Sequence, residues 1–227
     1  GNMTADRGMR LSWDYQDRLV GLSNGSKTAA YDYDYTNTRK RKRVTDSENG
    51  STSEVVYIDK YSEIRDGQLV KYVYAGNSRV ARAENMCGGA YALEPSAFYL
   101  HDHLGSTALT LSDSGEVSEQ LVNYPYGNPR LEQKTGTASF PADYKFTGKE
   151  RDLESGLQYF EARYYSGVLG RFNRVDPLIS NGWLASNTEL LLIPQNLNSY
   201  AYANNRSLIA NDPDGEFALI VVGAVIG

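Results

Sequence analysis

Short runs of alternating apolar and polar residues, broken by polar turns, recur along most of the chain. Tyr31-Asp32-Tyr33-Asp34-Tyr35 and Lys71-Tyr72-Val73-Tyr74 show the two-residue period of a strand with one buried and one wet face. Over residues 1 to about 80 the unit is loose and roughly twenty residues long. An aromatic-rich run such as Ser12–Leu19 leads into a Gly/Asn/Ser turn, then into the next run. Asn24-Gly25 and Asp66-Gly67 are two-residue hairpin signals. The pattern predicts successive antiparallel hairpins in a sheet that grows by stacking units. Such a sheet has an open edge at its N-terminal side, so the repeat is expected to continue upstream.

Residues 81–95 carry no pattern and read as a connecting loop with a Gly-Gly break. Three strands are expected next, punctuated by Gly105-Ser106, Asp113–Gly115 and Tyr126-Gly127, then a polar loop over 133–143. Leu153, Leu157, Phe160 and Tyr164 fall near helical spacing and suggest a helix over Asp152–Tyr165, while Gly156 and the tyrosines favour turn and strand. The insert Ile179–Gln195 contains Glu-Leu-Leu-Leu-Ile-Pro, which reads as a short buried strand or turn. The final 11 residues, Phe217–Gly227, are apolar but too short to span a bilayer alone. They are either a last strand or the start of a longer apolar segment.

Composition narrows the class. Eighteen tyrosines suit half-buried sheet faces, and 21 glycines supply bends. A formal net charge of −5 argues against a nucleic-acid partner, which needs a clustered positive surface. The basic run Arg39–Arg43 is expected on a solvated edge or loop. Cys87 stands alone, which excludes an internal disulfide and a cysteine metal cluster. No export signal is visible at Gly1.

Several stretches carry a family likeness. They are Gly1–Thr4, the Tyr-Asp-Tyr around Tyr31, the Gly-Asn-Ser-Arg after Tyr74, His101–Thr107 and Tyr124–Gly127. Two longer ones, Phe146–Phe172 and Asn198–Gly215, are the most specific. Together they resemble the RHS/YD-repeat family over essentially the whole chain, and its RHS-associated core over the last two. The resemblance implies a mostly β fold: a hairpin ribbon that forms part of a hollow shell and ends in a core plug with little helix. It divides the chain into terminal repeats (1–95), the core (96–215) and an apolar exit segment (216–227) leading to a further C-terminal domain. The partners implied are the chain's own upstream shell, a downstream toxin domain, and secretion-apparatus or adaptor proteins. A bacterial secreted or cell-surface location is implied as well. In many members of the family the core severs the chain after an Asp-Pro-x-Gly step by an aspartyl-protease-like reaction. This chain has a longer insert where Gly-Gly is usual after the first Asp-Pro, and Glu216 where Leu is frequent.

The chemistry to test lies at two Asp-Pro steps, Asp176-Pro177 and Asp212-Pro213. Two carboxyls held close share one proton, so one acts as base on a water while the other donates to the amide. Arg171 or Arg174 is the candidate for a forked contact to one carboxylate, and Asp214 is a fallback partner. The competing reading is that Asp-Pro is turn chemistry alone. A non-catalytic structural or surface-interaction scaffold is then the alternative function, with sugar stacking on exposed tyrosines a weaker third.

No cofactor is expected. His101 and His103 would share a face of one strand and could ligate a metal, but two ligands are too few and a packed pair is the plainer reading. Gly105-Ser106 lacks the nucleophile-elbow spacing, and Lys145–Lys149 lacks the phosphate-loop spacing. Glu150, Asp152 and Arg163 are expected in buried ion pairs that fix turns.

Overall fold

The computed structural model describes residues 1–84, 94–135, 142–182, 186, 189 and 192–216. Cys87, most of the expected 81–95 loop and the tail Phe217–Gly227 lie outside the described residues. Thirteen strands, from β1 (Ala5–Asp6) to β13 (Pro129–Lys134), pair antiparallel in strict sequence order as one sheet. The sheet crosses the expected 95/96 division without a break, since β9 (Ser78–Glu84) pairs with β10 (Glu94–His101).

One turn recurs and explains the repeat. At Asp14, Asp34, Asp102, Ser112 and Tyr124 the main-chain N–H donates to the carbonyl four residues on, and the carbonyl accepts from the N–H three residues on. That third residue on is left-handed in each loop: Asp17 at φ 60°, Asn37 at 65°, Gly105 at 80°, Gly115 at 82° and Gly127 at 77°. A bulge adjoins every one of these loops, as expected of a three-residue hairpin loop ending in a left-handed residue. Asp14, Asp34 and Asp102 also accept, through Oδ1, from the N–H groups two and four residues on. An aspartate after an aromatic strand end is therefore a turn signal. Accordingly, the alternation that begins at Tyr31 ends at Tyr33, Asp34 opens the turn, and Tyr35 stands 96% exposed at the tip. The two-residue turn at Asp66-Gly67 forms as expected, with φ 49° and 83°. The region after residue 95 supplies four strands, β10 to β13, where three were expected.

A second, four-stranded antiparallel sheet follows: β14 (Glu150–Arg151), β15 (Gln158–Phe160), β16 (Arg163–Ser166) and β17 (Arg171–Phe172). The helix expected over Asp152–Tyr165 does not form. The Asp152 carbonyl instead accepts from the N–H groups of Ser155 and Gly156, and Gly156 takes φ 71°, which ends any helix and starts a hairpin. Leu157, Phe160 and Tyr164 are buried all the same, on faces of that hairpin, while Leu153 is exposed. Phe146, Phe160, Tyr165 and Phe172 surround Tyr202 with ring centroids 4.7–5.9 Å away, so this small unit has a core of aromatics. A Cβ on Gly127 would come within 2.4 Å of the Phe146 ring, so the hairpin tip and the aromatic core fit only through glycine. Leu192 and Ile193, expected in a buried strand or turn, are exposed at 82% and 50%. No helix of the described residues is long and apolar enough to cross a membrane.

The second unit packs on the buried face of the first sheet. Met9, Leu11, Leu19, Leu22 and Tyr31 meet Leu157 and Tyr164. Beside this apolar contact lies a buried charge network, and it corrects the solvated reading of Arg39–Arg43. The bulge between β4 (Lys27–Tyr33) and β5 (Arg39–Asp46) makes Lys40 the extra residue, so Arg39 and Lys42 both face inward while Arg41 and Arg43 face water. Arg39 donates to Asp152 Oδ2 at 2.8 Å, to Glu150 Oε2, and to the hydroxyls of Tyr164 (2.8 Å) and Tyr57 (2.9 Å). Its guanidinium lies 4.2 Å from the Tyr159 ring centroid. Lys42 reaches Asp152 Oδ1 at 2.7 Å and Glu150 Oε1 at 3.1 Å, and Arg65 reaches Glu150 Oε1 at 3.2 Å. Burial alone would raise the Glu150 pKa, but Lys42, Arg39 and Arg65 outweigh it and hold the carboxyl well below the ordinary range. Both carboxylates come from the second unit and all three cations from the first.

Removing Arg39 takes a buried partner from both carboxylates and leaves them to Lys42 and Arg65. Arg39→Ala is expected to cost about 3–5 kcal/mol of stability, read as a lowered urea midpoint. Arg41→Ala, on the wet face of the same strand, should leave the midpoint nearly unchanged.

Candidate functional site

The chain meets itself at Arg163 on β16. The Phe172 ring centroid lies 3.6 Å from its guanidinium, and the Arg163 side chain is 1% exposed. Nη2 contacts Asp176 Oδ2 at 2.9 Å and Asp212 Oδ2 at 3.1 Å. A shared nitrogen therefore sets the separation of the two carboxylates to no more than those two contacts placed end to end. The same guanidinium donates from Nε to the Gly215 carbonyl at 2.5 Å, from Nη2 to the Glu216 carbonyl, and from Nη1 to the Ser199 carbonyl at 3.3 Å.

Each aspartate is fixed by its own turn. Asp176 precedes helix α1 (Pro177–Ser180) and accepts from the Leu178 N–H through Oδ1 at 2.9 Å. Its N–H donates to the Ser199 carbonyl at 3.0 Å. Asp212 is 1% exposed and accepts from the Gly215 N–H through Oδ1 at 2.9 Å. Gly215 takes φ 71°, and a Cβ there would lie 2.1 Å from the Phe160 carbonyl oxygen. Only glycine lets the Asp212–Gly215 turn close against β15, which brings the next two carbonyls onto Arg163.

Electrostatics separate this site from an ordinary ion pair. Burial pushes the Asp212 carboxyl up to about 7; Arg163 pulls it back, and the charges of Asp214 and Asp176 add to the rise. Burial also raises Glu216, helped by Asp214 and Asp176. Arg163 itself is drawn down by burial against the pull of Asp176 and Asp212. Arg163 thus faces two carboxylates in contact and two more acidic side chains close by, and Arg174 acts on Asp176 and Glu216 through its charge alone. The arrangement leaves one carboxyl able to carry a proton near neutrality beside a second carboxylate and two polarised amide carbonyls.

The structure sorts the expected residues. Asp176 and Asp212 are brought together. Asp214 is exposed, accepts from the Glu216 N–H at 3.1 Å, and acts on Asp212 through its charge. The forked contact expected of Arg171 or Arg174 is made by Arg163. Arg171 is exposed, with its backbone paired to Ser166 and Ala201, and Arg174 donates to the Asp17 carbonyl at 2.7 Å. Arg163 sits opposite Phe160 on the neighbouring strand and is in the buried ion pairing expected of it; its partners, Asp176 and Asp212, are what the residues alone did not show. His103 lies at a hairpin tip with Nε2 2.9 Å from the Leu208 carbonyl, and no group of metal-ligating side chains occurs among the described residues.

A cleft of about 580 Å³ opens beside the site. One wall is made by the hairpin tips at Asp14–Arg18 and Asp34–Thr38, the other by Ala162, Arg163, Arg174, Pro177, Asp214 and Glu216.

No family model matches the chain. It is 29% identical over 235 residues to the tRNA3(Ser)-specific nuclease WapA of Bacillus spizizenii, covering 99% of this chain and 9% of WapA. It is 27% identical to the toxin subunit YenC1 of Yersinia entomophaga, covering 92% of this chain and 22% of YenC1. Among solved structures, a crystal structure of TcdB2-TccC3-Cdc42 superposes with a TM-score of 0.72 at 25% identity, over 92% of this chain and 10% of that one. The chain therefore spans between about a tenth and a quarter of the proteins it matches.

The raised carboxyl has a measurable consequence. Asp212 binds its proton more tightly folded, at about 7, than at its ordinary 3.8, so its contribution to stability is full below about 4 and is lost as pH rises towards 7. The Asp212 carboxyl carbon should titrate near 7 by NMR, and Asp212→Asn should flatten the fall in stability between those two values. A midpoint near 4 would show that Arg163 outweighs burial.

Proposed function

We propose, from the premise that this chain is an RHS-repeat protein, that it is the C-terminal end of an RHS-type shell and cuts its own backbone next to Gly215. The shell role rests on the thirteen-strand hairpin sheet and on relatives and structural neighbours that are RHS-type toxins. The single observation behind the cut is the Arg163 guanidinium, which holds Asp176, Asp212 and the Gly215 and Glu216 carbonyls at once.

The step is amide hydrolysis. Asp176, as carboxylate, takes a proton from a water whose oxygen attacks the carbonyl carbon at Gly215 or Glu216. Arg163 stabilises the negative charge that develops on that carbonyl oxygen. Asp212, protonated near neutrality, gives its proton to the amide nitrogen as the C–N bond breaks. The products are a new carboxylate and a new amine. The substrate is tethered, so proximity replaces a binding pocket for it. In the whole protein the ribbon and core enclose a downstream toxin domain, and the cut frees that domain from its covalent link. The partners are the upstream shell and this toxin domain, with delivery outside the producing cell.

A second reading keeps the same shell without the scissors. Asp176 caps α1 and Asp212 closes the turn to Gly215, which are structural tasks sufficient to place both side chains where they are. Intact mass of the chain expressed with its continuing C-terminal sequence separates the two. Self-cleavage gives two fragments, and Asp176→Asn or Asp212→Asn slows their appearance about a hundredfold or more. The rate should fall as pH rises above about 7, where Asp212 loses its proton. A single full-length mass for the unmutated chain leaves the scaffold reading.

A further inference from the structure

Asp176 and Asp212 have nearly matching contacts. Each accepts one main-chain N–H through Oδ1, from Leu178 and from Gly215, both at 2.9 Å. Each reaches the same Arg163 nitrogen through Oδ2. Both are buried, at 6% and 1% exposed. Contacts so alike do not decide which carboxyl of a close pair keeps the proton; the charges around the pair do.

Those charges differ in sign. Arg174 stands two residues before Asp176, and Asp214 stands two residues after Asp212. Arg174 and Asp176 act on one another through charge, and Asp214 acts in that way on Asp212. Arg163 on β16 is shared between the two, and Glu216 of the exit turn adds negative charge beside Asp176. A cation flanking one carboxyl and an anion flanking the other drive the proton onto Asp212 and leave Asp176 ionised.

The place of Arg174 comes from the hairpin sheet. Its Nη1 donates to the Asp17 carbonyl at the first hairpin tip at 2.7 Å. Asp14, Asp17 and Tyr33 are the sheet groups that face its charge. Arg18 holds that tip to the next one through Asn37 and the Asp34 carbonyl. The neighbouring supports of Asp176 are held from the same side. The Met3 N–H donates to the Asn173 carbonyl at 2.8 Å, and the Tyr200 hydroxyl donates to the Gly1 carbonyl at 2.8 Å. Tyr200 follows Ser199, whose carbonyl accepts from the Asp176 N–H and from Arg163.

We infer that Arg174 is a positioning residue for the proposed cut, on which this inference rests: held by the first hairpin tip, its charge keeps Asp176 ready as the base. The site is then complete only when the first hairpins of the ribbon are seated on the core, so the cut waits for the shell to dock.

Intact mass over a pH series tests it, on the chain with its continuing C-terminal sequence. The unmutated chain should cut more slowly above about 7, where Asp212 loses its proton, and again in acid, where Asp176 gains one. Arg174→Met should move the acid limb up by about one pH unit and leave the limb near 7 in place. Arg174→Lys, which retains the charge, should return the acid limb to its original position. Asp14→Ala removes the side chain that closes the tip through the Gln16 and Arg18 N–H groups, and should move the acid limb the same way by less. A uniform loss of rate in Arg174→Met with both limbs unmoved would overturn the inference, since a purely structural role has that signature. An unmoved acid limb in Asp14→Ala, with the urea midpoint lowered, would overturn the hairpin's part in it. If the unmutated chain stays whole, the cleavage reading is lost and the Asp176 carboxyl carbon decides by NMR. Its midpoint should be higher in Arg174→Met, and an unchanged midpoint would sink the charge assignment as well.

Discussion

An arginine buried among aromatic rings, with a carboxylate on each side, is the interaction on which this molecule depends, and the fold uses it twice. Arg39 joins the hairpin sheet to the second unit through Glu150 and Asp152, under the Tyr159 ring. Arg163 joins three distant stretches of the second unit through Asp176 and Asp212, against Phe172. In each case the planar guanidinium provides several donors in one plane while its faces satisfy the rings. Lysine, with a compact and strongly hydrated charge, cannot do both.

The balance of charge decides what each arginine does. Around Arg39 the carboxylates have three cations, with Lys42 and Arg65 completing the set, and Glu150 is held firmly ionised. That is a structural joint: desolvation is severe, but compensation exceeds it. Around Arg163 two carboxylates share one guanidinium, Asp214 and Glu216 add negative charge, Arg174 acts on Asp176 and Glu216 through its charge alone, and burial wins at Asp212. A carboxyl that sits between its two states near neutral pH is poorly suited to holding a fold together. A carboxyl pushed up to about 7 can exchange a proton near neutral pH, and the proposed cleavage draws on that property.

The hairpin sheet and the site are mechanically linked through the tips. Repeating an aspartate-closed turn puts equivalent residues on one edge of the sheet at each repeat, and two of these tips reach the second unit through Arg18 and Arg174. The repeat thereby supplies one wall of the cleft at the point where the chain leaves the core.

Much of this was legible in the residues. Alternation and turn chemistry placed the hairpins, because a strand's period and an Asx turn are local properties that need no distant partner. The two Asp-Pro steps stood out for the same reason. Three features were legible only in part or not at all. Over Leu153 to Tyr164 the residues pointed both ways, and the hairpin signal of Gly156 and the tyrosines won, since packing of Phe160 and Tyr164 on opposite faces outweighs an apolar period. Arg39 and Lys42 turned inward because a single bulge shifted the register, which no charge count reveals. Arg163, not Arg171 or Arg174, took both aspartates, because β16 runs beneath two turns that are 36 residues apart in the chain. Sequence by itself determined which segments are strands and turns and which acids are candidates. Tertiary structure alone decided which cation meets them, because burial and charge balance are sums over neighbours that only folding brings together.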